Sequence, residues 1–286
     1  MGNTADLLGR IEEKYQHMSK GYKRIAGYIV QNYDKAAFMT ANRLGERAGV
    51  SESTVVRFAD SLGYDGYPQL QKAIQEMIRN KLTTVQMIEM SAEMKEDEVL
   101  GKVLKADMEN IRETLSEISP TVFEQAVSAV LGASKVYIMG MRSAAPLSQF
   151  LGYYFDFMLN SVRTVNSGIS DVFEQIIHIG KGDCFIGISF PRYSNRTLEA
   201  MRFAKSRGAA CLAITDSAAS PLADHADVVL TARSDMASLV DSLCAPFSLV
   251  NALIVAIALR KKDSISSSFS ELEKIWGEHN IYAGGK

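Results

Sequence analysis

Two groups of polar residues in this 286-residue chain have the types and spacing to do chemistry. The first is Ser51, Ser53, Thr54 and Arg57, at the front of a segment with an apolar stripe. Short hydroxyls and an arginine on the outer face of a helix suit the donor and acceptor pattern of the DNA major groove. The second is Ser189-Phe190-Pro191-Arg192-Tyr193-Ser194-Asn195-Arg196-Thr197, together with Gly140-Met141-Arg142-Ser143 upstream. Hydroxyls, guanidiniums and backbone N–H groups at a helix N-terminus are what hold a phosphate or a carboxylate.

The first group needs a helix–turn–helix to present it, and Leu44–Gly63 (LGERAGVSESTVVRFADSLG) reads as one. Leu44, Arg47 and Ala48 end a first helix, and Gly49 takes the turn position that favours positive φ. Val50 is expected as the buried residue of the turn. Ser51 is placed to cap the second helix by accepting from the N–H of Ser53 or Thr54. Val55, Phe58, Ala59 and Leu62 fall at i, i+3, i+4 and i+7, which leaves Ser53, Thr54 and Arg57 outward. Lys20 and Lys23 crowd the start of an earlier helix and suit phosphate contacts, while Thr40 is expected to cap the first helix of the motif. An ordinary helical hairpin would share the stripe and the glycine. The glycine, the serine cap and the polar front together favour DNA, so the expected DNA-contacting set is Lys20, Lys23, Thr40, Ser51, Ser53, Thr54 and Arg57.

The second group needs strands that end beside one another. Lys135–Gly140, Val162–Asn166, Asp183–Phe190, Ala209–Thr215 and Asp227–Ala232 read as near-continuous apolar strands. Between and after them lie helical stretches at Ala144–Leu159, Ser170–Ile179, Ser194–Arg207 and Asp241–Lys262, with a short turn at Pro221–His225. That alternation predicts an α/β domain: a five-stranded parallel sheet with helices on both faces. In such sheets ligands bind beyond the carboxyl ends of the strands, here Gly140–Ser143, Ser189–Thr197 and Thr215–Ser217. The expected ligand set is Arg142, Ser143, Ser189, Arg192, Ser194, Arg196 and Thr197.

Ahead of this domain the chain reads as all-helical, about five helices over residues 1–80. Residues 81–118 are expected as a linker and a long connecting helix, and residues 119–286 as the sheet domain with a C-terminal helix. In Asp97–Ile118, Leu100, Leu104, Met108, Ile111 and Leu115 recur at helical spacing. They and Met87, Met90 and Met94 are expected to serve core or dimer packing. Trp276 lies on an amphipathic stretch from Phe269.

Composition limits the function classes. The chain carries 31 Lys+Arg and 33 Asp+Glu, a net charge of −2. Residues 1–80 hold 11 basic and 9 acidic residues, leaving 20 and 24 for the remainder, so the front is mildly basic. Cys184, Cys211 and Cys244 are far apart in apolar stretches and are expected as buried free thiols, with no disulfide and no metal set. No cofactor is implied. Ser248–Leu259 is short for a bilayer, contains Asn251 and ends in Arg260-Lys261-Lys262, so it is expected as a buried or subunit-interface helix. Met1–Arg10 lacks a basic start followed by an apolar run, and a cytoplasmic location is expected.

Thr40–Gly63 with the following YDGYPQLQ, then IMGMRS and ISFPRYSNRTLEA, resemble the RpiR family of bacterial transcription regulators. The resemblance covers roughly residues 5–262. It implies an N-terminal helix–turn–helix, a C-terminal sugar isomerase (SIS) domain with a flavodoxin-like sheet, a phosphorylated sugar or related metabolite as effector, and a homodimer or dimer of dimers (a homotetramer). Residue by residue, Ser143 matches the family's serine after the first strand, and Ser194 and Thr197 match the hydroxyls of its S-x-S-G-x-T loop. The glycine of that loop is Asn195 here, Pro191-Arg192-Tyr193 lies between Ser189 and Ser194, and Met141 and Arg142 replace a plainer first loop. Up to three added arginines turn the expectation toward a more acidic ligand, such as a sugar acid, its phosphate or a dicarboxylate.

The competing function is a sugar-phosphate isomerase with an appended helical domain. An isomerase needs a base within reach of a carbon-bound proton. The candidates Asp171, Glu174, His178 and His225 all lie outside the strand-end loops, so no catalytic residue is expected. The reading is a regulator: operator DNA in front, a small anionic effector behind, and no membrane.

Overall fold

The computed structural model describes residues 7–78, 96–236 and 240–282. Met87, Met90 and Met94 lie outside the described residues. The chain divides into two compact units between Val99 and Leu100.

The front unit is helical among its described residues: α1 (Leu7–Tyr15), α2 (Lys20–Gln31), the single turn α3 (Tyr33–Ala36), α4 (Ala41–Ala48), α5 (Glu52–Ser61) and α6 (Gly66–Ile78). The element beyond the expected five is α3, because Asn32 leaves the helical region at φ −137° and splits the run. Helix α6 begins at Gly66, ahead of Pro68, rather than after it. A proline is tolerated in a first turn, where its missing N–H has no acceptor to lose. Ile25, Ile29, Leu44, Val55, Phe58, Leu62, Leu70 and Ile74 form the buried centre, with the Tyr22 ring edge-on to Phe58 at 5.5 Å. Tyr67 Oη and Gln71 Nε2 both donate to the Met39 carbonyl, at 2.6 and 2.9 Å, which ties α6 to the stretch before α4.

The second unit runs α7 (Val99–Glu117, entering it at Leu100), α8 (Pro120–Leu131), β1 (Val136–Gly140), α9 (Ala145–Met158), β2 (Val162–Val165), α10 (Val172–Gln175), β3 (Cys184–Ile188), α11 (Asn195–Ser206), β4 (Ala210–Thr215), β5 (Val228–Thr231), α12 (Cys244–Arg260) and α13 (Lys262–Glu278). The five strands are parallel in the order β2-β1-β3-β4-β5. Alternate residues feed two cores, as a period of two requires. Val136, Ile138, Ile186, Ile188, Leu212 and Ile214 pack with α8, α9 and α12. Tyr137, Met139, Phe185 and Ala213 pack with α10 and α11 on the other face.

Several boundaries moved for local reasons. The helix expected over Ser170–Ile179 is only the turn α10, started by a capping box in which Asp171 and Glu174 exchange bonds with each other's backbone. Helix α12 begins at Cys244, so that thiol is exposed rather than buried. Cys184 and Cys211 are buried as expected, on opposite faces of the sheet. Burial pushes their thiols up to about 12 and about 11, which keeps them protonated and inert. Helix α13 starts at Lys262, earlier than Phe269. Its Ile265 and Phe269 pack on the larger core, and Trp276 meets the Tyr282 ring edge-on at 5.3 Å. No helix among the described residues is long and apolar enough to cross a membrane.

Helix α7 turns a polar face inward. Its buried residues are Asn110 and Thr114, while the apolar series Leu100, Leu104, Met108, Ile111 and Leu115 is exposed. Asn110 Nδ2 donates to the Asp235 carbonyl at 2.8 Å, and the Asp235 N–H donates to Asn110 Oδ1 at 3.1 Å. Thr114 Oγ1 accepts from the Arg233 N–H at 2.8 Å. Asn110→Ala removes both bonds to the Asp235 backbone in a part-buried setting, so it is expected to destabilise the second unit by about 2 kcal/mol. Urea unfolding checks this, and Asn110→Asp should keep only the bond accepted from the Asp235 N–H.

Candidate nucleic-acid interface and ligand crevice

The helix–turn–helix depends on two glycines. Gly49 has φ 66° and ψ 42°, and its N–H reaches the carbonyls of Gly45 and Glu46. The second glycine, Gly45, escaped the sequence reading. The Val50 N–H donates to its carbonyl at 2.8 Å, and a Cβ on Gly45 would stand 2.8 Å from the Val50 carbonyl oxygen and 3.3 Å from the Glu52 nitrogen. The signal was a glycine in a helix four residues before the turn glycine, where helix propensity alone would favour alanine. Val50 is half-buried rather than fully buried, with its Cγ1 facing Gly21 at the start of α2.

Thr40 and Ser51 cap α4 and α5, accepting from the N–H groups of Arg43 and Thr54 at 3.3 Å each. The Ser51 hydroxyl also lies 3.0 Å from Ser53 Oγ and 2.8 Å from Thr54 Oγ1, so the three hydroxyls form one cluster. Ser51, Ser53 and Arg57 are exposed and Thr54 is half-exposed. Arg57 Nε donates to the Ser53 carbonyl at 3.2 Å, folding the guanidinium back along the helix front. A Cβ on Gly21 would lie 3.6 Å from both Thr54 Cγ2 and Val50 Cγ1. The start of α2, with Lys20 and Lys23, therefore abuts the start of α5. Lys23 Nζ sits 5.4 Å from the centre of the Tyr15 ring. Thr40 stands apart, a helix length of roughly 12 Å from the turn.

In the second unit, the strand order places the two candidate loops side by side. β1 pairs with both β2 and β3, and Gly140 registers with Ile188. Sheets of this order take ligands in a crevice at such a seam, which here would lie between the segments leaving β1 and β3. Gly140 is required there: a Cβ would come within 2.5 Å of the Ala144 carbonyl oxygen. The segment leaving β1 does not run straight into a helix. Arg142–Ala144 is a 3-10 turn, with Arg142 at φ 57° and Arg142 and Ser143 exposed.

The segment leaving β3 is held from inside. Ser189 is buried, and its Oγ accepts from the Ser194 N–H at 3.1 Å. Ser194 caps α11 by accepting from the Thr197 N–H at 3.3 Å. Thr197 is fully buried at 0% exposure, and its Oγ1 has no hydrogen-bond partner. An unpaired buried hydroxyl costs about 1–3 kcal/mol, so it calls for an explanation. Tyr193 Oη donates to Asp216 Oδ1 at 2.9 Å, tying in the segment after β4. Arg192 is exposed at φ 63°. Arg196 is offset by two acids, with Asp171 at 3.8 Å and Glu199 at 3.9 Å.

Three of the four candidate bases have other employment. Asp171 and Glu174 form the capping box, and His225 Nε2 accepts from Arg202 Nε at 2.7 Å. His178 is exposed on the segment after α10.

Residues 5–81 match the helix-turn-helix domain of the rpiR family, and residues 130–256 match the SIS domain. The chain belongs to the RpiR family. The transcriptional regulator HexR of Pseudomonas aeruginosa is 23% identical over 261 residues, 90% of each chain. The sugar isomerase domain of an RpiR transcription factor from Sphaerobacter thermophilus superposes with a TM-score of 0.59 at 29% identity, over 62% of this chain and 99% of that one. The Vibrio vulnificus NanR protein, solved in complex with ManNAc-6P, shares the fold with a TM-score of 0.58 at 17% identity, over 99% of this chain and 100% of its own. This RpiR-family protein is accordingly a DNA-binding transcriptional regulator and not an isomerase.

The turn of its DNA-binding domain gives a direct check. Gly45→Ala would gain stability in an ordinary helix. Here the contact with the Val50 carbonyl reverses the sign, with an expected loss of about 1–3 kcal/mol and a lower melting temperature.

Proposed function

We propose that this RpiR-family regulator reads an operator through Ser53, Thr54 and Arg57 of α5. Lys20, Lys23, Thr40 and Ser51 position the motif on phosphates. Its effector is a phosphorylated sugar, bound in the crevice between Arg142–Ser143 and Ser189–Thr197. The observation that carries this is the buried, unpartnered Thr197 Oγ1, one turn inside the N-terminus of α11. The first N–H groups of that helix, at Asn195 and Arg196, precede any intrahelical acceptor and face an anion favourably. Ser189, Ser194 and Ser143 complete a largely neutral cradle. The likeness to NanR, solved with a sugar phosphate, supports the same ligand class.

The regulator works in the cytoplasm as a homodimer or a dimer of dimers. The exposed apolar series of α7 and the largely apolar α12 are the packing surfaces available for that assembly. Dimer geometry sets the spacing of two α5 helices, as half-site spacing demands. The effector changes that spacing only through its different affinity for the two arrangements.

Arg57→Ala is expected to weaken operator binding by about 1–3 kcal/mol in a mobility-shift titration at fixed salt. Unchanged binding would remove Arg57 from the base-reading set. Thr197→Val keeps the shape of the side chain and removes the orphan hydroxyl. The ligand-free protein is then expected to melt no lower than the parent, and up to a few degrees higher, while the rise in melting temperature caused by a sugar phosphate disappears. A lower melting point with an intact ligand response would place the anion elsewhere.

A further inference from the structure

Among the described residues, three that are not glycine have left-handed backbone: Arg142 at φ 57°, Arg192 at φ 63° and Asn280 at φ 50°. Asparagine visits that region readily, whereas an arginine there is strained. Both strained arginines lie on the two segments that flank the crevice, and the Gly140–Ile188 register makes those segments neighbours. Glycine would remove the strain at either position, so the chain holds guanidiniums there at a standing conformational cost. Such strain collects where a binding site needs a side chain in one place. The third arginine, Arg196, already faces Asp171 and Glu199. Arg142 is exposed, and no acid among the described residues lies within ion-pair reach of it.

The phosphate has its partners without Arg142. The α11 N-terminus, Ser189, Ser194 and the orphan Thr197 hydroxyl supply neutral donors on the β3 side. That leaves a cation unmatched on the β1 side of the same crevice. A guanidinium offers a planar two-pronged donor that fits a carboxylate, which a sugar hydroxyl cannot match. We propose that the effector is a phosphorylated sugar acid, with its phosphate on the α11 N-terminus and its carboxylate gripped by Arg142 beside Arg192. This rests on the reading of the crevice as a sugar-phosphate site.

The test uses the full chain and isothermal titration with paired probes: hexonate 6-phosphates and the matching hexose 6-phosphates, in gluco and galacto configuration, plus fructose 1,6-bisphosphate. A hexonate phosphate is expected to bind about tenfold or more tightly than its hexose counterpart, the gain of one charge-assisted pair. Arg142→Gly should erase that preference, bringing hexonate phosphate binding down to the level of the hexose phosphate, and melt no lower without ligand because the left-handed backbone suits glycine. Arg142→Lys should recover only part of the preference. Equal binding of acid and aldose, or loss of both ligands together in Arg142→Gly, would overturn the carboxylate assignment while leaving the phosphate site in place. Tightest binding of the bisphosphate would make the second group a phosphate and overturn it too. Failure of every phosphorylated probe would instead bring down the sugar-phosphate reading beneath it.

Discussion

The reversal of strand order between β1 and β3 is the constraint on which the sensing half of this protein depends. β1 pairs with β2 on one side and β3 on the other, so the segments leaving β1 and β3 part company directly above their registered ends. No side chain creates that opening; the topology does. What the side chains decide is how tightly the chain turns there. Gly140 lets the segment after β1 pass within 2.5 Å of where a Cβ would stand. Ser189 and Ser194 lace the segment after β3 through their own backbone. The result is a crevice with a helix N-terminus, an unpaired hydroxyl and strained arginines at its edges.

The front unit solves a similar problem with the same means. A recognition helix must leave its partner at a fixed angle, which demands close backbone approach at the turn. Gly45 and Gly49 allow that approach, one by lacking a Cβ beside the Val50 carbonyl and the other by its positive φ. The three-hydroxyl cluster around Ser51 then stiffens the front of α5. In the front unit a glycine sets the turn and a serine caps the helix that follows; in the second the glycine and the serine cap lie on neighbouring segments, Gly140 at the end of β1 and Ser194 ahead of α11.

Binding DNA with one unit and an effector with the other calls for no catalytic machinery. A regulator needs only a difference in ligand affinity between two arrangements. Three of the four groups weighed as bases are held in local bonds: Asp171 and Glu174 start α10, and His225 accepts from Arg202. The SIS fold hosts isomerases and sensors alike, and function follows from the residues at the site rather than from the fold.

The features written in local sequence were legible before the fold was known. Strand–helix alternation, the apolar stripe of α5, and the caps at Thr40 and Ser51 are matters of spacing within a few residues, and local spacing is what a sequence displays. Family membership followed from the same short motifs. Features that depend on distant neighbours were not legible. Gly45 needs the returning turn to explain it. Cys244 is exposed because α12 begins at that residue, and the stripe of α7 faces outward because its polar side pairs with residues more than 100 positions away. Arg196 stood equal to Arg142 in the sequence until Asp171 and Glu199 were found beside it. Above all, the missing partner of Thr197 Oγ1 is a property of everything packed around it. Local order along the chain sets which elements form and which chemistry they carry. Which of those groups remain unpaired follows from packing, because pairing is settled by what the fold brings within about 4 Å.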